Sequence, residues 1–145
     1  MSMMVSSLLE AKGKTVFTIA PEAQVIDAIK WMAEKSIGSL VVQNKAGKVV
    51  GILSERDCLR RVILKGKNAS KIAVKTIMTK KVMTVSPDTL IDECMSKMTD
   101  NRIRHLPVLK KGKIVGIISI GDVVKSLVSE KDFIIRNLEK YITGG

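Results

Sequence analysis

The stretch VVGILSERD, Val49–Asp57, decides the fold because a second version of it, IVGIISIGD, stands at Ile114–Asp122. Both versions keep a Gly-Ile pair inside an apolar run. Both also keep a Ser that precedes an Asp by three positions. A match of this length within one chain predicts that one structural unit is built twice.

The similarity extends well upstream of this stretch. Residues 20–42 align with residues 86–108 without a gap, and a single one-residue deletion in a turn carries the alignment on to the two Asp residues. Deletions are tolerated in turns, so we infer a duplication. The matched residues are Pro21 with Pro87, Met32 with Met98, Ile37 with Ile103, Leu40 with Leu106, Gly47 with Gly112, Gly51 with Gly116, Ser54 with Ser119, and Asp57 with Asp122.

Each copy predicts the element order β-α-β-β-α, which is an α+β fold. TVFTI and KVMTV are the predicted first strands, and an apolar stripe at helical spacing follows each. A hairpin comes next, with Gly in its turn (KAGK or KKGK), and a helix capped by Ser54 or Ser119 ends the copy. The stripes are Val25, Ala28, Ile29 and Met32 in one copy, and Ile91, Cys94, Met95 and Met98 in the other.

The predicted organisation has five parts. They are an N-terminal segment (1–14), a first repeat (15–65), a linker (66–80), a second repeat (81–128) and a helical tail (129–145). Val128, Ile135, Leu138 and Ile142 form an apolar stripe along the tail. We expect this stripe to pack on the core or on a second subunit.

Composition limits the classes of protein to consider. The chain has 145 residues, 46% apolar and 27% charged, as is typical of a soluble globular protein. Two Cys and one His predict neither a disulfide framework nor a metal site. No long apolar run and no secretory signal are visible, so a cytoplasmic protein without a membrane segment is expected. The net charge of +11 favours anionic partners.

The repeated Ser and Asp allow two interpretations. In the first, Ser caps a helix and Asp interacts with the helix dipole, which is a purely structural role. In the second, backbone N–H groups at the helix start attract a phosphate while the carboxylate accepts hydrogen bonds from ribose hydroxyls. The preceding Gly51 and Gly116 would then allow a flat base to approach the backbone.

Three motifs recur in order and resemble the CBS domain (cystathionine-β-synthase type). They are G-h-h-S-x-x-D after a strand, R-H-L-P-V on the preceding strand, and x-P-x-x-x-h-x-x-A at the head of the first helix. Two such domains in tandem resemble a CBS pair, or Bateman module, of the small stand-alone type. The resemblance implies a pseudo-twofold module with two clefts between its halves, and a disc-like homodimer.

The resemblance also implies the ligand and its binding residues. The ligand would be AMP or a related adenosine compound (ATP, ADP or NAD(H)), with no cofactor required, and each Asp would bind ribose hydroxyls. The clefts should be unequal, since Gly38-Ser39 stands where the other copy has Arg104-His105. The expected residues are Lys14, Ile37, Gly38, Arg104, His105, Ile117, Ser119 and Asp122 in one cleft, and Ile52, Ser54, Arg56, Asp57, Lys80, Ile103 and Arg104 in the other.

The leading functional hypothesis is a regulatory module that senses AMP or ATP and signals to a partner protein. A sensor of NAD(H) in the same clefts is one alternative. A second is a nucleic-acid-binding protein, because nine basic residues and one acid lie within residues 56–81. That segment lacks an aromatic residue to stack a base. No catalytic motif is visible, so we expect no enzyme activity.

Overall fold

Each copy of the repeat builds its own hydrophobic core. The structure, a computed structural model, describes residues 3–143. The elements are α1 (Val5–Lys12), β1 (Thr18–Ile19), α2 (Val25–Lys35), β2 (Ser39–Gln43), β3 (Val49–Ser54), α3 (Glu55–Cys58) continued by a π-helical segment (Leu59–Ile63), a 3-10 turn (Ala69–Lys71), α4 (Val74–Ile77), α5 (Ile91–Asn101), β4 (His105–Lys110), β5 (Lys113–Ser119) and α6 (Ile120–Thr143).

The first half confirms the predicted order of strands, and the second half departs from it in one place. In the first half β1 pairs in parallel with β2, which pairs antiparallel with β3. In the second half β4 and β5 form the equivalent hairpin. The prediction of a strand at KVMTV is wrong, because this segment makes a single parallel bridge, from Val85 to Val108. Its neighbouring residues form no further ladder hydrogen bonds that would extend the bridge into a strand.

The two long helices of the repeats, α2 and α5, are amphipathic as predicted. Their buried residues occupy the same stripe positions, with Val25, Ala28 and Met32 on α2. Each helix ends at a non-glycine residue in the left-handed conformation, Ser36 at φ +54° and Arg102 at φ +53°. This turn reverses the chain, so the residue that follows donates its N–H back into the helix and leads directly into β2 or β4.

The chain also crosses between the halves. Helix α1 lies before the first repeat in sequence, yet its buried face belongs to the core of the second half. The N–H of Val5 donates to the carbonyl of Thr89 at 2.9 Å. Conversely α4, which lies in the predicted linker, packs into the first half, and the N–H of Val74 donates to the carbonyl of Ala23 at 2.7 Å. Each half is therefore completed by a segment from outside its own repeat.

This crossing explains the repeated glycines, and the expected reason for them is wrong. A Cβ atom on Gly51 would lie 2.5 Å from Sδ of Met78, and one on Gly116 would lie 2.7 Å from Cδ2 of Leu9. These side chains come from the crossing segments and fill the space where a Cβ atom would lie. Both glycines are therefore required by packing inside the protein.

The last helix, α6, continues to Thr143, so the predicted tail (129–145) is helical over its described part, while residues 144 and 145 lie outside the described residues. Its apolar stripe is largely exposed, with Val128, Ile135, Leu138 and Ile142 each more than half accessible. Of the two alternatives for this stripe, its exposure disfavours packing on the core of the same chain, and packing on a second subunit stays a prediction. Within residues 3–143, none of the helices has the length and apolar character needed to cross a membrane.

Candidate functional site

Both Asp residues of the repeat are held by the same local structure. The side-chain oxygen of Ser54 accepts a hydrogen bond from the N–H of Asp57, and Oδ2 of Asp57 accepts one from the N–H of Ser54. Ser119 and Asp122 form the same reciprocal pair at the start of α6. This capping box fixes each carboxylate at the point where a strand becomes a helix. The structural role of the pair is thus present in both halves.

A cavity of about 340 Å³ lies between the two halves, beside one of these carboxylates. The first half contributes the turn into β2, the second half contributes β4, β5 and the first turn of α6, and the segment from the end of α1 closes one side. This volume lies in the range of small-molecule sites, about 300–1,000 Å³. The lining residues are Lys12, Thr15, Phe17, Ile37, Gly38, Ser39, His105, Ile117, Ser119 and Asp122.

Asp122 borders this cavity, and within residues 3–143 its hydrogen bonds fall on one carboxylate oxygen. Its Oδ2 atom accepts hydrogen bonds from the N–H of Ser119, at 2.8 Å, and from Nζ of Lys12. Burial raises the pKa of Asp122, but the hydrogen bonds and charge of Lys12 and the hydrogen bonds from Ser119 outweigh burial and hold that pKa below its ordinary value. The carboxylate is therefore ionised at neutral pH, and Oδ1 keeps the capacity to accept hydrogen bonds from a ligand.

His105 lies on β4 and faces the turn into β2. A Cβ atom on Gly38 would lie 4.0 Å from both Cε1 and Nε2 of His105, so the imidazole spans the junction of the halves. Burial lowers the pKa of His105, the charges of Lys12 and Arg104 lower it further, and Asp122 raises it in part. The imidazole is therefore neutral at pH 7, and an anion that enters the cavity would favour its protonation.

The surroundings of Asp57 differ from those of Asp122. Oδ1 of Asp57 lies 4.0 Å from Nε of Arg61, and Arg61 also donates to the carbonyl of Ile77 at 2.8 Å. Ile52, an expected ligand contact, instead pairs through its backbone with Thr79 in both directions. The two Asp residues thus have different neighbours, in line with the difference between Gly38-Ser39 and Arg104-His105 in the alignment.

The structure brings six of the predicted site residues together and places the others elsewhere. Lys14 and Arg104 do not line the cavity, Arg56 is exposed on α3, and Ile103 packs against the core of the second half. Lys80 lines a separate surface groove of about 520 Å³. Ile52 and Ser54 on β3 and Asp57 on α3 lie outside the Asp122 cavity. The six that share the cavity are Ile37, Gly38, His105, Ile117, Ser119 and Asp122.

Four cavity residues were not assigned from the sequence, and Lys12 is the most consequential of them. The alignment of the repeats covers residues 20–42 and 86–108 upstream of the hairpins and does not reach Lys12, so comparison of the repeats carried no signal for a cation there. Phe17 forms one wall, and its ring packs edge-to-face on Trp31 with centroids 5.6 Å apart. Thr15 and Ser39 complete the set. No sequence motif marks these four residues. What they share is their place in the chain, since each lies at the end of α1 or at or just before the start of β1 or β2.

Known proteins resemble this chain over most of its length. The family model of the CBS domain matches residues 10–64 and 74–129. The mitochondrial CBS domain-containing protein CBSX3 of Arabidopsis thaliana is 38% identical, over 97% of this chain and 72% of its own length. A solved protein with CBS domains from Burkholderia ambifaria is 45% identical and has a TM-score of 0.83, over 88% of this chain and 95% of that chain.

A more distant solved structure was determined with ligands. The CBS domain pair of protein MJ0100, in complex with 5′-methylthioadenosine and S-adenosyl-L-methionine, has a TM-score of 0.79. It is 24% identical and covers 90% of this chain and 99% of that chain. At this level of identity the likeness shows the shared fold alone.

Proposed function

The chain belongs to the CBS-domain family, with one domain in each half, and we propose that it is a regulatory module that binds an adenosine nucleotide in the cavity beside Asp122. One observation carries this proposal: both halves line a single cavity that combines an ionised carboxylate, an imidazole and an ammonium group with apolar walls. The CBS pair of MJ0100 carries two adenosine compounds. The ligand class proposed for this chain rests on its own cavity.

Each part of a nucleotide has a matching group in the cavity. Oδ1 of Asp122 can accept hydrogen bonds from the ribose hydroxyls, which are donors that a carboxylate binds strongly. Ile37 and Ile117 provide apolar surface for the adenine. Lys12 and His105 supply positive charge or a donor for a 5′-phosphate. This function requires neither a catalytic triad nor a cofactor, because a ligand that binds one conformation more tightly shifts the equilibrium towards that conformation.

A calorimetric titration tests the proposal. AMP, ADP and ATP are titrated into the protein, with GTP and NADH as comparators that separate adenine and dinucleotide recognition. We expect saturable binding of at least one adenosine nucleotide and weaker binding of GTP. The absence of saturation by every adenosine compound at millimolar concentration would contradict the proposal. NADH as the tightest ligand would favour a dinucleotide sensor in the same cavity.

The neutral state of His105 gives a pH dependence. A phosphate near the imidazole raises the His105 pKa from its lowered value, so the complex takes up a proton. We therefore expect AMP affinity to increase as the pH falls from about 8 to about 6.5, the ordinary pKa of His. The His105→Gln variant should lose this increase, and adenosine, which has no phosphate, should not show it. Equal pH dependence in both proteins would place the phosphate away from His105.

We propose that the module works as a homodimer. The π-helical segment and α6 expose apolar residues at equivalent positions of the two repeats, Leu59 with Val124 and Ile63 with Val128. All four are 44–55% exposed. A surface repeated about a pseudo-twofold axis suits a second copy of the chain, because a twofold interface is self-complementary. Signalling would then pass to another protein through a ligand-dependent arrangement of this dimer.

Light scattering during gel filtration tests the dimer. The double variant Ile63→Glu/Val128→Glu places two charges in the proposed interface and should elute as a monomer, whereas the unmodified protein elutes as a dimer. The control is Ala46→Glu in the exposed β2–β3 turn, which should stay dimeric. A monomeric unmodified protein would contradict the dimer without bearing on the nucleotide cavity.

A cytoplasmic location of the protein also stays a prediction from the sequence.

A further inference from the structure

Lys12 is placed to act on any ligand that reaches Asp122. Its ammonium group contacts Oδ2 of Asp122 and donates to the carbonyl of Ile117 at 2.7 Å. Lys12 is the last residue of α1, and that helix is anchored in the second core by its buried Val5, Leu8 and Leu9. A packed helix therefore positions the ammonium group of Lys12 at the cavity. Its position is set by the fold as well as by the ion pair.

A ribose and Lys12 compete for the same carboxylate. Within residues 3–143, the hydrogen bonds that Asp122 accepts fall on Oδ2, so one ribose hydroxyl can donate to Oδ1, whereas a second hydroxyl that donates to Oδ2 must share or displace the Lys12 contact. Within residues 3–143, the ion pair of Lys12 is with Asp122. An uncharged nucleoside offers no replacement for that ion pair. A 5′-phosphate does, since a phosphate monoester carries a charge of about −1.5 to −2 at neutral pH and three acceptor oxygens.

We propose that Lys12 determines whether the cavity prefers a phosphorylated adenosine ligand to an uncharged one. It opposes nucleoside binding by holding Asp122, and it favours nucleotide binding by moving its hydrogen bonds to the phosphate. One residue thereby acts with opposite sign on two ligands that share their base and sugar. The proposal rests on the proposed function, because it requires an adenosine ligand with its ribose on Asp122.

The test compares AMP with adenosine by calorimetry in four proteins: the unmodified protein, Lys12→Met, Lys12→Arg and Lys113→Met. We expect Lys12→Met to bind AMP about tenfold more weakly, because a charge-assisted hydrogen bond is lost. The same variant should bind adenosine about two- to fivefold more tightly, because an ion pair that opposed binding is gone. Lys12→Arg keeps the charge and should keep the preference for AMP over adenosine. Lys113, exposed at the far end of β5 from Ser119, controls for net charge.

Salt provides a second test that needs no variant. Raising the ionic strength from about 0.01 to about 1 M shortens the screening length from about 30 to about 3 Å. This should weaken AMP binding and leave adenosine binding equal or stronger. This test uses the unmodified protein, so it can be made even if Lys12→Met is too unstable to measure.

The outcomes separate this inference from the function on which it rests. A preference for AMP over adenosine that falls in Lys12→Met and persists in Lys12→Arg supports the role of Lys12. An unchanged preference in Lys12→Met, or an equal loss of both ligands, overturns the role of Lys12 while AMP binding by the unmodified protein leaves the proposed function standing. Failure of the unmodified protein to bind either ligand overturns both.

Discussion

The Asp122→Asn variant should bind AMP about 10- to 100-fold more weakly than the unmodified protein, since hydrogen bonds to a charged acceptor contribute about 1.5–3 kcal/mol. Asparagine keeps the shape of the side chain and an oxygen that can accept the N–H of Ser119, so the start of α6 is preserved. What it removes is the negative charge that the ribose hydroxyls would bind. Calorimetry measures the affinity, and thermal unfolding checks that the fold is retained.

Two comparison variants make this result specific. Asp92→Asn removes an exposed carboxylate from the first turn of α5 in the same half, and it should leave AMP affinity unchanged. Asp57→Asn changes the equivalent residue of the first repeat, which does not line the Asp122 cavity. A second binding step that disappears in Asp57→Asn would locate a second site there. Unchanged AMP affinity in Asp122→Asn would remove the ribose contact from the proposal.

Gly116→Ala should destabilise the fold, since its Cβ atom would lie 2.7 Å from Cδ2 and 2.9 Å from Cδ1 of Leu9. Leu9 is 2% exposed and has little room to move. Overpacking of this kind costs about 1–3 kcal/mol. Leu9→Ala alone should cost about 2–5 kcal/mol, because it leaves a cavity where α1 packs on the second half. Urea unfolding measures the free energy of unfolding of each variant.

The double variant decides whether these two residues are in direct contact. In Gly116→Ala/Leu9→Ala the added methyl group enters the space that the leucine leaves, so the loss should be smaller than the sum of the single losses by about 1 kcal/mol or more. Gly121→Ala is the matched control, since its Cβ atom meets Ser119 Oγ at an ordinary 3.6 Å. Additive losses, or a neutral Gly116→Ala, would contradict the packing of α1 against β5.

Features repeated in the sequence were the ones that could be predicted. Gly51 with Gly116 and Ser54 with Asp57 recur in both copies, so comparison of the repeats identified the hairpins and the two capped helices. The capping box is local, because its two hydrogen bonds join residues three positions apart. Local chemistry of this kind can be read from sequence patterns without knowledge of tertiary contacts.

Contacts between distant segments could not be predicted in this way. The hydrogen bond from Val5 to Thr89 joins α1 to the second half, and no periodic pattern specifies that pairing. The same crossing brings Lys12 to Asp122 and Leu9 to Gly116. The predicted strand at KVMTV also depended on tertiary context, since the segment meets the edge of β4 at the single bridge of Val85 and does not extend along it.

The most direct measurement is a crystal structure of the protein grown with saturating AMP. We expect the nucleotide between the halves, with a ribose oxygen at hydrogen-bond distance, about 2.5–3.0 Å, from Oδ1 of Asp122. Lys12, which contacts Asp122 in the free protein, should then lie against the phosphate. Nucleotide bound at another surface, or in this cavity with its ribose away from Asp122, would contradict the proposed site.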